Sequence, residues 1–132
     1  MYKNINNYSI LNKQEGGRML NIDTEYKRGI LFVRLQGVLN KNTSVKLNEL
    51  LECVIIKAGV KYLMINFEQL DSIDEIGLEV INENCLRLIN SGGKLLTCGY
   101  NDSLSLIIEN SSFNNLIYKT NDEIGAFNII SI

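Results

Sequence analysis

Tyr62-Leu63-Met64-Ile65-Asn66-Phe67 is a near-continuous apolar run. It leads into Asp71-Ser72-Ile73-Asp74-Glu75-Ile76-Gly77-Leu78. A helical pattern leaves this turn, with Leu78, Ile81, Cys85 and Leu88 recurring on one face. The apolar run reads as a strand at the centre of a sheet covered on both faces. Strand, short acidic turn and helix together make half of a crossover unit, so this stretch places the chain among α/β proteins. The helix is expected from Glu75 to Asn90, with Ser91-Gly92-Gly93 ending it.

Asp74 is a natural N-cap for that helix. Glu75 then lies in the first turn, where the positive helix end favours a carboxylate by roughly 0.3–1 kcal/mol. Ile73 and Leu78 are spaced for a hydrophobic staple across the cap. A second register uses Ser72 as the cap and Glu75 as the capping-box acid, and both registers keep Glu75 in the first turn. Gly77 is unusual there, because glycine costs about 1 kcal/mol in a helix. It implies that something packs closely, either another part of the chain or the backbone of a partner.

Working outward, Leu20 to Lys27 mixes apolar and charged residues as an edge strand does. The turn Lys27-Arg28-Gly29 joins it to Ile30-Leu31-Phe32-Val33-Arg34-Leu35-Gln36, which reads as a hairpin closed by Gly37. Leu47, Leu50, Leu51, Val54 and Ala58 recur at helical spacing, with Thr43 or Ser44 available as N-cap and Gly59 as C-cap. Lys94-Leu95-Leu96-Thr97-Cys98 reads as a strand. Residues 103–110 read as a short helix with Leu104, Ile107 and Ile108 inward, and Ile117-Tyr118-Lys119 as a last short strand. Residues 120–130 read as a final helix with Ile124 and Phe127 on its apolar face. The order β-β-α-β-α-β-α-β-α implies right-handed crossovers and a mixed sheet of about five strands packed against four helices.

Composition narrows the functions open to such a fold. The chain has 132 residues, 45% of them hydrophobic, enough for one domain with a core that needs no disulfide or metal. A net charge of −2 argues against a nucleic-acid binder driven by phosphate neutralisation. No apolar run approaches the roughly 18 residues that span a membrane, and Met1-Tyr2-Lys3-Asn4 lacks a signal-peptide core, so a cytoplasmic location is expected. Cys53, Cys85 and Cys98 are widely spaced at apolar positions and read as buried, reduced thiols. The chain has no histidine, which removes His-based zinc sites and Ser-His or Cys-His nucleophiles. Asp71, Asp74 and Glu75 could share a site as paired carboxylates, but no phosphate loop or second acidic cluster completes one. The expectation is a protein without enzymatic activity, catalytic residue, metal or cofactor.

Residues 1–18 are polar and Asn-rich, and read as a flexible extension before a domain over 19–132. They end in Glu15-Gly16-Gly17-Arg18 before Met19, the peptide that a purine-rich ribosome-binding site would encode. Met19 is therefore a candidate start, which N-terminal sequencing of the native protein decides.

From Leu20 onward the chain resembles STAS domains, in particular the single-domain anti-sigma factor antagonists of Gram-positive bacteria. Gly37-Val38-Leu39-Asn40 resembles the family's Gly-Glu-Leu-Asp after the second strand. Leu63-Met64-Ile65-Asn66-Phe67 resembles its central strand. Ile73-Asp74-Glu75-Ile76-Gly77-Leu78 resembles its Asp-Ser-Ser-Gly-Leu turn, and Gly92-Gly93-Lys94-Leu95 its Gly-Gly approach to the next strand. No single motif is specific, but the ordered set is.

The resemblance implies a protein that binds an anti-sigma factor, often an ATP-binding serine kinase, and so frees a sigma factor. The kinase inactivates such antagonists by phosphorylating the serine after the turn's aspartate, adding about −1.5 to −2 charge. Here that position is Glu75, which a serine kinase cannot phosphorylate, and the family's aspartate after the second strand is Asn40. The implied partner face comprises Asn40, Thr43, Ser72, Asp74, Glu75, Ile76, Gly77 and Leu78, with Glu79 behind. Glu75 can act as a permanent phosphomimic that weakens binding, or the partner can tolerate it and bind constitutively. Regulation can also have moved to Ser72 or Thr43. The alternative is a STAS scaffold or accessory subunit, stressosome-like or partnering a lipid ABC transporter, without phosphorylation switching.

Overall fold

The structure is a computed structural model and describes residues 10–11 and 19–130. Six strands form one sheet in the order β1-β2-β3-β4-β5-β6. They are β1 (Ile10–Leu11), β2 (Leu20–Lys27), β3 (Ile30–Leu39), β4 (Tyr62–Ile73), β5 (Lys94–Cys98) and β6 (Tyr118–Lys119). The helices are α1 (Ser44–Glu52), α2 (Glu75–Asn90), α3 (Asp102–Glu109) and α4 (Ala126–Ile129). β2 and β3 form the expected hairpin, with Lys27 opposite Ile30. Arg28 and Gly29 both take positive φ, as a two-residue hairpin turn that follows the strand twist requires. β3 to β6 pair in parallel through the helical crossovers.

Period-two alternation along β3 and β4 builds two cores. Leu31, Val33 and Leu35 of β3 and Leu63, Ile65 and Phe67 of β4 face α1, α2 and α3 in the main cluster. Ile30, Phe32 and Met64 face the other way, where Leu96, Cys98, Ala126 and Ile130 join them in a smaller cluster. The apolar run that defines β4 is thus continuous because both faces are covered.

Several elements depart from the expectation for physical reasons. β1, inside the segment read as a flexible extension, pairs antiparallel with Ile22 and Asn21 and makes a sixth strand; the rest of 1–18 lies outside the described residues. β3 does not close at Gly37 but continues to Leu39. Gly37 sits inside it at φ +110, where a Cβ would lie 2.3 Å from the carbonyl oxygen of Met19. β4 pairs β5 only as far as Asn66, then follows β3 alone to Ile73. Over that stretch two register shifts each add a residue on β4, bulges that blunt an otherwise open edge. α1 passes into a π-helical turn, Cys53–Lys57, and Gly59 follows at φ +71. Cys53 is exposed rather than buried, because it lies about 100° around the helix from Val54 on the buried stripe. Ile107 is likewise exposed, leaving Leu104 and Ile108 as the inward residues of α3.

The last expected helix shrinks to one turn. Thr120 donates its hydroxyl to the Asp122 carbonyl, and Asp122 Oδ1 accepts from the Gly125 N–H. Such side-chain bonds compete with helical hydrogen bonding. Ile124 is 73% exposed, and Ala126 and Ile130 are the buried apolar residues instead.

Candidate functional site

The two chain segments carrying the expected face meet at the ends of β3 and β4. Asp74 has extended backbone, and its Oδ1 accepts from Gly77 N–H at 2.8 Å, so it caps α2 and the Ser72 register is not used. Its Oδ2 accepts from Lys41 N–H at 3.0 Å, and its own N–H bonds the Leu39 carbonyl at 3.0 Å. One carboxylate thereby ties the α2 turn to the β3–α1 loop. Ile73 and Leu78 both pack against the main core.

The β3–α1 loop is organised by Asn40. Its Oδ1 accepts from Asn42 N–H at 2.9 Å and Thr43 N–H at 3.0 Å, and its N–H donates to Thr43 Oγ1 at 2.9 Å. The Thr43 hydroxyl donates to the Val38 carbonyl at 2.8 Å. Thr43 precedes α1 but makes no side-chain cap bond, and neither it nor Ser44 caps the helix in the expected way. It is fully buried and bolts the loop shut. Gly77 is buried too. A Cβ there would stand 2.7 Å from the Leu39 carbonyl oxygen and 2.8 Å from Leu39 Cγ, so the close approach inferred from the sequence is internal to the chain.

The eight residues therefore divide. Thr43 and Gly77 are buried, Asn40 and Leu78 are half-buried, and Ser72, Asp74, Glu75 and Ile76 are exposed, Ile76 at 43%. Glu75 makes no ion pair and no side-chain hydrogen bond among the described residues. It is a free negative charge at the first position of α2, next to an exposed isoleucine. A groove of about 280 Å³ runs beside it, lined by Glu75, Leu78, Glu79, Asn82, Ser111, Ser112 and Phe113. The far wall, from the loop after α3, was not legible as part of the site. Its signal was the single aromatic in Asn110-Ser111-Ser112-Phe113-Asn114.

The Asp74 carboxylate is committed to two backbone N–H groups. Burial pushes the Cys85 thiol up to about 11 and the Cys98 thiol up to about 12, so neither presents a thiolate at neutral pH. No group of three or more metal-ligating side chains gathers among the described residues.

A second polar cluster, unforeseen from the sequence, lies on the other sheet face. Arg34 of β3 holds Glu123 through Nε and Nη2 at 2.8 and 2.9 Å, Asp23 through Nη1 at 3.1 Å and Glu25 through Nη2 at 2.8 Å. Asn66 Nδ2 adds a bond to Glu123 at 2.9 Å. The guanidinium holds the Glu123 carboxyl below the usual carboxylate range, and the carboxylates raise Arg34 further.

Comparison with known proteins places this geometry. The family model described as the STAS domain matches residues 21–126. The chain belongs to the STAS domain family. This STAS domain is 24% identical over 113 residues to the anti-sigma F factor antagonist of Paenibacillus polymyxa, covering 86% of this chain and 97% of that one. Among solved structures, it is similar to the anti-sigma factor antagonist SpoIIAA in its unphosphorylated form. That match has a TM-score of 0.70 and 16% identity, over 84% of this chain and 99% of that one. It also matches part of the murine Solute Carrier 26 anion transporter Slc26a9, with a TM-score of 0.68 and 10% identity, over 94% of this chain and 22% of that one. The fold thus serves both as a whole small protein and as a piece of a large transporter, and function has to be argued from the site. No helix among the described residues is long and apolar enough to cross a membrane.

Proposed function

We propose that this STAS domain is a non-enzymatic, cytoplasmic regulator of the anti-sigma factor antagonist type, which binds an anti-sigma factor through the face centred on Glu75 and Ile76. The observation that carries it is the free Glu75 carboxylate beside exposed Ile76, on a turn that Asp74 holds rigid. A preorganised charged-and-apolar patch suits protein recognition better than catalysis. The support from relatives is the name of the P. polymyxa protein and the fold of SpoIIAA, whose structure is also known in a phosphorylated form.

Glu75 carries one negative charge where a phosphoserine carries about −1.5 to −2. It reproduces part of the phosphorylated state's charge and cannot gain the rest. Binding is therefore not switched at this position. The two other hydroxyls near the turn differ in access. Thr43 is buried with its oxygen in two hydrogen bonds, whereas Ser72 is exposed, so Ser72 is the one open to a kinase.

The partner is an anti-sigma factor of the ATP-binding serine kinase type. Incubating that kinase and ATP with wild type and with Glu75→Ser tests the reading. Label on the variant alone is expected. Label on wild-type Ser72 shows that control has shifted there, and label on neither protein removes the kinase as partner.

A further inference from the structure

We propose that residues 120–130 form a strap that opens on its own, ahead of the rest of the domain, and that the Glu123 carboxylate in the fork of Arg34 is its catch. Backbone bonding is the first argument. Thr120 N–H bonds the Thr97 carbonyl at 2.9 Å, anchoring the strap where it leaves the sheet. Beyond it, the described backbone bonds are local to the strap: Ala126 to Glu123, Phe127 to Ile124, Asn128 to Gly125 and Ile130 to Ala126. Among the described residues, side chains hold it down beyond that anchor.

The apolar hold rests on four side chains. Ala126 and Ile130 are buried, Phe127 and Ile129 are half-buried, and Ile124 faces solvent. The Phe127 ring lies 5.8 Å from that of Phe32, with the Arg28 guanidinium 4.9 Å above it. The polar share is concentrated in Glu123, which takes two bonds from Arg34 and one from Asn66. Paired N–H bonds to a carboxylate are among the stronger polar contacts and fix orientation. Grooves of about 270 and 410 Å³ adjoin Arg34 and admit water to the catch. A segment with local backbone bonds and few buried side chains belongs to the low-stability end of a domain.

The cysteines report on this directly. Cys98 lies under the strap in the small cluster with Ile30, Phe32, Met64 and Leu96, whereas Cys85 lies in the main core. Cys53 is exposed and calibrates the reagent. The full chain is labelled with iodoacetamide at fixed pH, and each cysteine is followed by mass spectrometry. In wild type, Cys98 is expected to react faster than Cys85. Arg34→Gln is expected to speed Cys98 about tenfold or more, with Cys98 still reacting ahead of Cys85. This variant is chosen because Arg34 lowers the Cys98 pKa. Removing it from a closed strap would slow the thiol, so acceleration reports opening. Glu123→Gln, which spares the Arg34 pairs with Asp23 and Glu25, is expected to raise amide exchange at residues 126–130, and in both proteins these amides are expected to exchange at a lower free energy than those of β4, which open with the whole domain. Cys98 slowed or unmoved in Arg34→Gln, Cys98 reacting no faster than Cys85 in wild type, or amides of the strap and β4 exchanging at the same free energy overturns the proposal.

Discussion

Replacing Asp74 by alanine tests how the site is built. The carboxylate caps α2 through Gly77 N–H and independently holds Lys41 N–H in the other loop. Loss of an N-cap costs about 1 kcal/mol within a range of roughly 0.5–2. Loss of a second hydrogen bond to a charged acceptor costs about 1.5 kcal/mol near a surface. Together Asp74→Ala should destabilise the domain by about 2–3 kcal/mol. Asparagine separates the two roles. Its oxygen can still cap Gly77, but its amide would face the Lys41 N–H donor to donor, so Asp74→Asn should lose only the second part, about 1–1.5 kcal/mol. Urea unfolding followed by far-UV circular dichroism, with a common slope for all three proteins, measures both values. An alanine variant within about 0.5 kcal/mol of wild type, or an asparagine variant as unstable as the alanine one, refutes the bridging role.

Gly77→Ala should destabilise even though alanine is the better helix former by about 1 kcal/mol, because its Cβ would press on the Leu39 carbonyl from 2.7 Å; a stabilised variant in the same urea assay contradicts this. Thr43→Val should cost about 1–3 kcal/mol, since the isosteric side chain leaves the Val38 carbonyl and Asn40 N–H without their partner. The Glu123–Arg34 pair makes a pH-dependent contribution. Glu123 titrates lower in the folded chain than when unfolded, so its stabilisation is complete well above about pH 4.3 and is lost as pH falls through the folded value. The stability gap between wild type and Glu123→Gln, measured by urea unfolding from pH 7 down to pH 3, should therefore shrink with acid; a gap that stays constant contradicts the pairing.

Much of the fold was legible because local signals and global packing agree. The run ending at Phe67, the Asp74 cap and the Ser91-Gly92-Gly93 stop mark the β4–α2–β5 unit, and α2 and β5 have the boundaries read from the sequence. Gly77 announced a close approach because glycine is costly in a helix. What stayed hidden depends on side chains meeting across distance. Arg34 and Glu123 are 89 residues apart, and nothing local marks either one as part of a network. The strap read as a helix because its apolar spacing fits one, while Thr120 and Asp122 redirect its backbone. Thr43 looked like a cap or a partner contact and is an internal bolt. The groove wall at Phe113 comes from a loop whose position only the packing of α3 sets.

The central claim is that the exposed charge and apolar side chain at the start of α2 form a partner-binding face. Its most direct test is a pull-down from the native cell with wild type and with Ile76→Arg as baits, after checking that the two unfold at the same urea concentration. We predict that wild type retains an anti-sigma factor of the ATP-binding kinase type and that Ile76→Arg does not. Equal recovery by both baits, or recovery only of transporter or membrane-lipid components, contradicts the account.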